Sequence, residues 1–345
     1  MVRFMTHFKQ VLALFFLSLI LASCDQSPPA SPDKSVLKIH QVEKNESGWP
    51  RKIMTTEGLL TLNKKPTRIV STSVTLSGTL LAINAPLIAS GATMANTSVA
   101  SEQGFMRQWA DIAKNRGVIP LYQTEPNAEA IIKANPDLIV ISATGGDSAI
   151  KLYEQLKDIA PTLVIAYDDK SWMQLANIFG DLLGLEEQAQ TVIQRFEQEV
   201  EHTKSTIILP PQPTTAMVYY QDDTGANIWT SESAQGRLLL ELGFTLAKIP
   251  ESVKGNISMG VRNDIIIATG ERFPDAVTGN TTLLFSASTD REKAFIDNPY
   301  LHETSSVQNK QVFAVGDDTF RLDYYSATNL LKRLQALFGH ENHGQ

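Results

Sequence analysis

Phe320 and Arg321 stand side by side in the loop GDDTFRLDYY (316–325), and Trp229 stands in NIWTSES (227–233). Each segment follows or ends an apolar run that reads as a strand, so both sit where strand ends open into a cleft. A guanidinium donates hydrogen bonds in a planar fork and stacks on aromatic faces. An arginine set among rings therefore suits an anion that itself carries aromatic faces. Two plainer readings stand beside this one: a strand tryptophan that only fills a core, and an arginine that only pairs with a neighbouring aspartate.

Other chemistries find little support. The turn Thr144-Gly145-Gly146-Asp147 follows an apolar run, but it lacks the G-x-G-x-x-G and Walker patterns that cradle phosphates, and it reads as a cleft-lining or tight structural turn. No G-x-S-x-G elbow offers a nucleophile. His40, His202 and His302 are scattered, and His340 and His343 lie in the tail without an H-E-x-x-H pattern, so no bare-metal site is expected. The formal net charge of −7 argues against nucleic acid as a partner.

The first residues carry Arg3 and Lys9, then an apolar run from Val11 to Ala22, then Ser23 and Cys24. The run is shorter than the ~20 residues a membrane-spanning helix needs, so residues 1–23 read as a cleaved secretory signal. Leu21-Ala22-Ser23-Cys24 resembles a bacterial lipobox, which makes Cys24, the only cysteine, the expected lipidation site. Asp25 after it resembles the signal that retains enteric lipoproteins in the inner membrane. With that thiol acylated, the mature chain forms no internal disulfide, although the compartment is oxidising.

Residues 24–47 follow as lipidated cysteine and flexible tether, rich in Pro and Ser at their start. From Trp49 the sequence alternates apolar runs (68–72, 87–90, 137–142, 162–167) with helical patterns (75–84, 104–114, 127–134, 148–158), the rhythm of a parallel sheet. Residues 186–205 contain neither Gly nor Pro and predict one helix about 30 Å long. Strand signals resume at 215–220, 227–230, 244–248, 282–286 and 311–315, with helices at 234–242 and 324–338, as if the second half repeated the first. The expected fold is α/β: two Rossmann-like lobes, 48–184 and 207–339, joined by a single long helix at 185–206, with a tail at 340–345. A ligand cleft between the lobes is the favoured site.

The segments 68–84 RIVSTSVTLSGTLLAIN, 137–149 DLIVISATGGDSA, 227–236 NIWTSESAQG and 307–325 VQNKQVFAVGDDTFRLDYY, in that order, resemble the family of periplasmic binding proteins for siderophores, haem and cobalamin, most of all its ferric enterobactin-binding branch. The similarity runs from about Trp49 to Phe338. It implies a monomeric, lipid-anchored periplasmic protein, not an enzyme and with no cofactor, that captures a ferric catecholate siderophore and delivers it to the permease dimer of an ABC importer. Haem or cobalamin binding by the same fold, and a periplasmic enzyme, remain the alternatives. Three catecholates bring six negative charges against the three positive charges of ferric iron, so the ligand is a trianion with aromatic faces.

By the same resemblance Trp229, Phe320 and Arg321 touch the ligand, and Arg107 in GFMRQW (104–109) and Arg262 in SMGVRND (258–264) supply further positive charge. Where the branch carries another basic residue this chain has Ser98, which implies a less charged catecholate unless another cation compensates. Family-like docking, one exposed acid per lobe against permease arginines, implies Glu129 in EPNAEAI (125–131) and Asp264 in SMGVRNDIII (258–267), with Glu271 behind it.

Overall fold

The computed structural model describes residues 40–221, 225–254 and 263–339. Its first element is a small antiparallel sheet of β1 (Val42–Lys44), β2 (Arg51–Thr55) and β3 (Gly58–Leu62), with β2 in the middle. Residues 42–44, expected within the tether, thus belong to a sheet.

The next strands are short apolar runs that alternate with helices. They are β4 (Ile69–Ser71), α1 (Val74–Ala82), β5 (Leu87–Ala92), α2 (Arg107–Asn115), β6 (Ile119–Gln123), α3 (Ala128–Ala134), β7 (Leu138–Ser142), α4 (Tyr153–Leu156) and β8 (Thr162–Ile165). The strands pair in the order β6-β5-β4-β7-β8, all parallel. Every residue of the central strands β4 and β7 is buried, as expected for a sheet covered on both faces. The order reverses between β4 and β7, and ligands of doubly wound sheets bind beyond the carboxyl ends of the strands at such a switch point.

Two helices carry the chain to the second sheet. α5 (Trp172–Leu183) begins with a capping box from Ser171 and Gln174 and ends at Gly184, whose φ of 68° is left-handed. α6 (Glu186–Thr206) runs for 21 residues, matching the helix predicted at 186–205. Its buried stripe of Ala189, Val192, Ile193, Phe196, Val200 and Thr203 follows helical periodicity.

The second sheet comprises β9 (Thr214–Tyr219), β10 (Ala226–Trp229), β11 (Ile265–Ala268), β12 (Thr281–Leu284) and β13 (Val312–Ala314), in the order β11-β10-β9-β12-β13. Its helices are α7 (Ala234–Glu241), α8 (Thr289–Ile296), α9 (Ser305–Gln308) and α10 (Tyr324–Phe338). This sheet does not repeat the first, because β10 pairs antiparallel with both β9 and β11. Residues 244–248, expected as a strand, make only an isolated bridge from Leu246 to Thr214. The helix expected over 148–158 is a 3-10 turn at Ile150–Leu152 followed by the single turn of α4.

One large core cluster extends from Ile53 to Phe338 and includes residues flanking both sheets, such as Leu76, Leu163, Val218 and Leu331. Separate clusters, one around Ile131, Ile139 and Leu156 and the other around Met217, Phe273 and Phe295, back the two sheets.

Candidate ligand-binding site

The switch point of the first sheet is closed by a network around Asp147. After β4 the chain turns into α1 with Ser73 as N-cap, its hydroxyl accepting from Leu76 N at 3.3 Å. Ser73 Oγ also donates to Asp147 Oδ2 at 2.5 Å, and Thr75 N donates to the same oxygen at 3.1 Å. Asp147 Oδ1 accepts from the Tyr167 hydroxyl at 3.0 Å. Gly145 makes this possible: its φ is 90°, and a Cβ there would lie 1.7 Å from the Tyr167 oxygen. The turn 144–147 is thus structural and cleft-lining, as its sequence suggested. Burial pushes the Tyr167 phenol up to about 12, so it stays a neutral donor at physiological pH.

The facing wall is the loop between β13 and α10. Gln235 Nε2 donates to the carbonyls of Thr319 at 3.2 Å and Phe320 at 2.8 Å, and Ser326 Oγ donates to that of Arg321 at 2.8 Å. These bonds fix the backbone that carries Phe320 and Arg321. The Arg321 guanidinium carbon lies 4.9 Å from the centroid of the Tyr167 ring and 5.3 Å from that of Phe320. Its one polar contact among the described residues is a long one, Nη2 to the Tyr167 hydroxyl at 3.5 Å. Trp229 meets Phe320 edge-on at 6.0 Å and Phe285 at 6.5 Å; it is 7% exposed, and its indole nitrogen is buried without a hydrogen-bond partner among the described residues.

Two adjoining cavities share Thr75, Tyr167, Phe320 and Arg321. One, about 70 Å³, forms a floor beside Trp229, Lys170 and Arg237. The other, about 320 Å³, opens toward Thr72, Tyr122 and Asp147. The structure therefore brings Trp229, Phe320 and Arg321 together, although they lie about ninety residues apart in the chain. The plain ion-pair reading does not cover Arg321, with which no carboxylate pairs among the described residues, whereas Trp229 does belong to the core as well as to the cavity wall. Asp323, two residues on, is turned away, its Oδ1 accepting from Tyr325 N and Ser326 N, both at 2.9 Å, and its Oδ2 from Gln108 Nε2 at 3.1 Å.

The remaining expected residues scatter. Arg107 donates twice to the carbonyl of Thr97, at 3.0 and 2.7 Å, and lines a separate cavity of about 390 Å³ with Ser98, Asp317 and Arg333. Cys24 and Arg262 lie outside the described residues. Glu129 is exposed in the first turn of α3, whose N-cap Asn127 accepts from Ala130 N at 3.0 Å. Asp264 is half-buried just before β11 and lines the floor cavity, its carbonyl accepting from Thr230 N at 3.0 Å, whereas Glu271 is exposed. Sequence reasoning did not single out Tyr167, Lys170 or Arg237. The only signal for Tyr167 was its place at the end of an apolar run.

One parallel and one mixed sheet, with a cleft lined by aromatic rings and charged side chains of both signs, define the class: an α/β ligand-binding protein. The family model described as periplasmic binding protein matches residues 69–319, and the chain belongs to that family. It is 53% identical over 290 residues, covering 84% of this chain and 91% of the other, to the protein called ferric enterobactin-binding periplasmic protein FepB of Escherichia coli. Among solved structures it is similar to holo-ViuP, with 33% identity and a TM-score of 0.77 over 85% of this chain and 96% of that one. The fold is shared with FeuA of Bacillus subtilis, described as a triscatecholate siderophore binding protein complexed with ferri-bacillibactin, at 17% identity, a TM-score of 0.59 and coverage of 82% and 96%.

Proposed function

We propose that this chain captures a ferric catecholate siderophore of the enterobactin type in the periplasm and hands it, chemically unchanged, to the permease of an ABC importer. The observation that carries the reading is Arg321, held over Tyr167 beside Phe320 and Trp229 and paired with no carboxylate among the described residues. A trianion with aromatic faces matches that set: the guanidinium answers the charge and the rings answer the faces. The name of the 53% identical relative points to the same ligand.

The test is a titration of tryptophan fluorescence with ferric enterobactin, its linear fragments, haemin and cobalamin. Saturable quenching by the ferric catecholates alone is expected; preferential binding of haemin or cobalamin would overturn the ligand assignment.

Delivery completes the proposal. The lobes 48–184 and 207–339 hold the ligand between them, linked through 185–206, and Cys24 tethers the mature chain to the inner membrane beside its permease. Among the described residues no helix is long and apolar enough to cross a bilayer. Glu129 is the docking acid of the first lobe. For the second lobe Glu271 replaces Asp264 as the stronger choice, because Asp264 borders the ligand cavity whereas Glu271 is exposed. Charge reversal at Glu129 is expected to leave siderophore affinity unchanged and to abolish uptake, since rim charges govern orientation and association more than affinity. Normal uptake by that variant, in cells lacking the native binding protein, would remove the docking role.

A further inference from the structure

One arginine leaves most of a trianion's charge unanswered, and the floor cavity is bordered by two more cations, Lys170 and Arg237, as well as by Asp168, Asp264 and Asp323. Lys170 is committed: its ammonium lies 2.5 Å from Asp169 Oδ1, and its side chain is only 10% exposed. Arg237 is in a different state. It is exposed on α7, its hydrogen bond goes to the carbonyl of Glu232, and no carboxylate pairs with it among the described residues. Glu241 stands four residues further along the same helix, at the spacing where such pairs form, and that pair is not made. Arg237 also sits within the first turns of α7, where the helix dipole disfavours a cation. Helix stability therefore gives no account of a charge at this place.

Its position in the cleft does. Arg321 belongs to the floor cavity and to the 320 Å³ cavity next to it. Arg237 belongs to the floor cavity and to a groove of about 530 Å³ that also borders it and shares Trp172 and Leu322 with it. The two unpaired guanidinium groups thus mark the two openings of one floor, with the partnerless indole N–H of Trp229 in its wall.

We propose that Arg237 is a second anion-contacting residue of the site and sets its preference by ligand charge, favouring the ferric tris-catecholate trianion over ferric catecholates of lower charge. The inference rests on the siderophore reading and adds to it the residue that discriminates. Two catecholates on ferric iron leave a single negative charge, so a linear bis-catecholate complex is the natural comparison.

The experiment titrates the full chain and its Arg237→Gln, Arg237→Lys and Arg321→Gln variants with ferric enterobactin and with a ferric bis-catecholate, at low and high salt. Loss of a charge-assisted contact predicts roughly tenfold weaker trianion binding in Arg237→Gln, with a shallower salt dependence. Binding of the bis-catecholate complex is expected to fall by less than about threefold, because less charge is answered. Arg237→Lys recovers most of the trianion affinity, and the unfolding midpoints of both variants match the parent. Unchanged affinity in Arg237→Gln, or equal losses for both ligands, overturns the inference. If Arg321→Gln weakens binding and Arg237→Gln does not, the inference alone fails. If the parent does not bind ferric enterobactin, the functional reading fails with it.

Discussion

Arg51 and Arg321 are built from the same parts and do opposite things. Each lays its guanidinium over a ring, Arg51 over Trp49 at 4.8 Å and Arg321 over Tyr167 at 4.9 Å. Arg51 is buried and paired with an acid: Nε bonds the carbonyl of Gly48 at 2.9 Å, and Nη1 meets the carbonyl of Asp181 and the Glu186 carboxylate, the last at 2.7 Å. It ties the small antiparallel sheet to the junction of α5 and α6. Arg321 is half-buried at a cavity and, among the described residues, meets rings and a distant hydroxyl. A satisfied arginine is a fastening, whereas one stacked in place but left without an acid keeps its charge available for a ligand.

Removing each side chain separates the two roles. Arg51→Ala leaves Glu186 and two backbone carbonyls without their donor, and breaking a buried pair from one side costs about 3–5 kcal/mol. Because Glu186 is itself 34% exposed and keeps Lys44 at 2.9 Å, the lower end is expected, read as a drop in the urea midpoint with siderophore affinity intact. Arg321→Ala should do the reverse, weakening ferric enterobactin binding by about 1.5–3 kcal/mol with little change in apo stability. If Arg321→Ala unfolds the chain as readily as Arg51→Ala, the contrast collapses and Arg321 is structural as well.

Acid titration sharpens the contrast from the carboxylate side. Burial pushes Glu186 up, but hydrogen bonds from Lys44 and Arg51 outweigh it and hold the group at about 2, below its ordinary 4.5. Its contribution to stability is therefore full above pH 4.5 and is lost as pH falls toward 2. Asp323 moves the other way: burial raises it from 3.8 to about 6 against hydrogen bonds from Ser326, Gln108 and Tyr325. Between those values the native state keeps a proton that the unfolded chain has released, so stability from this group declines as pH rises through the window. The buried Gln108 Oε1 has no partner among the described residues, and turning that amide would let it accept from a protonated Asp323 or from an asparagine in its place. Urea midpoints across pH 2–7 should show Glu186→Gln flattening the acid limb and Asp323→Asn flattening the limb between about 4 and 6. An Asp323→Asn curve parallel to the parent in that range would show that the group is already ionised there.

The framework of this contrast was readable from the chain, while its partners were not. Long helices with an apolar stripe, such as α6 and α10, and strands that are almost wholly apolar, such as β7, carry their own signal. β6 escaped because Pro120 lies within it, which a strand tolerates at the edge of a sheet, where β6 stands. FTLAK at 244–248 has strand composition, yet its only strand partner among the described residues is Thr214, and its other backbone bonds go to Leu239, Gln212 and Thr278, so the pattern was met by packing of Phe244 rather than by a ladder. β11 is only four residues long, too short a run for periodicity to mark it as a strand. In the site, Phe320, Arg321 and Trp229 stood in recognisable motifs. Tyr167, Asp147 and Arg237 matter through contacts between segments far apart in sequence, and no local pattern encodes those.

The smallest expected effect gives the sharpest test of which cleft groups await a ligand. Trp109 and Trp229 both bury an indole N–H with no partner among the described residues, and an unmade hydrogen bond of that kind costs on the order of 1–3 kcal/mol. Trp109 lies in the core of the first sheet, 1% exposed and tilted against Phe105 at 5.2 Å, and borders neither cleft cavity. Trp229 borders the floor beside Arg321. Replacing either by Phe removes the orphan donor and some apolar area together, and the two changes oppose each other, so each variant should stay within about 1 kcal/mol of the parent in stability. Binding should divide them. Trp109→Phe is expected to bind ferric enterobactin as the parent does. Trp229→Phe should bind it several-fold more weakly and lose most of the fluorescence quenching, because the donor it lacks is one the ligand's phenolate oxygens can accept from. Affinity is therefore best measured by a method independent of fluorescence, such as calorimetry. Equal affinities in the two variants would mean that the Trp229 N–H is a packing defect like that of Trp109 and that the ring alone serves the site.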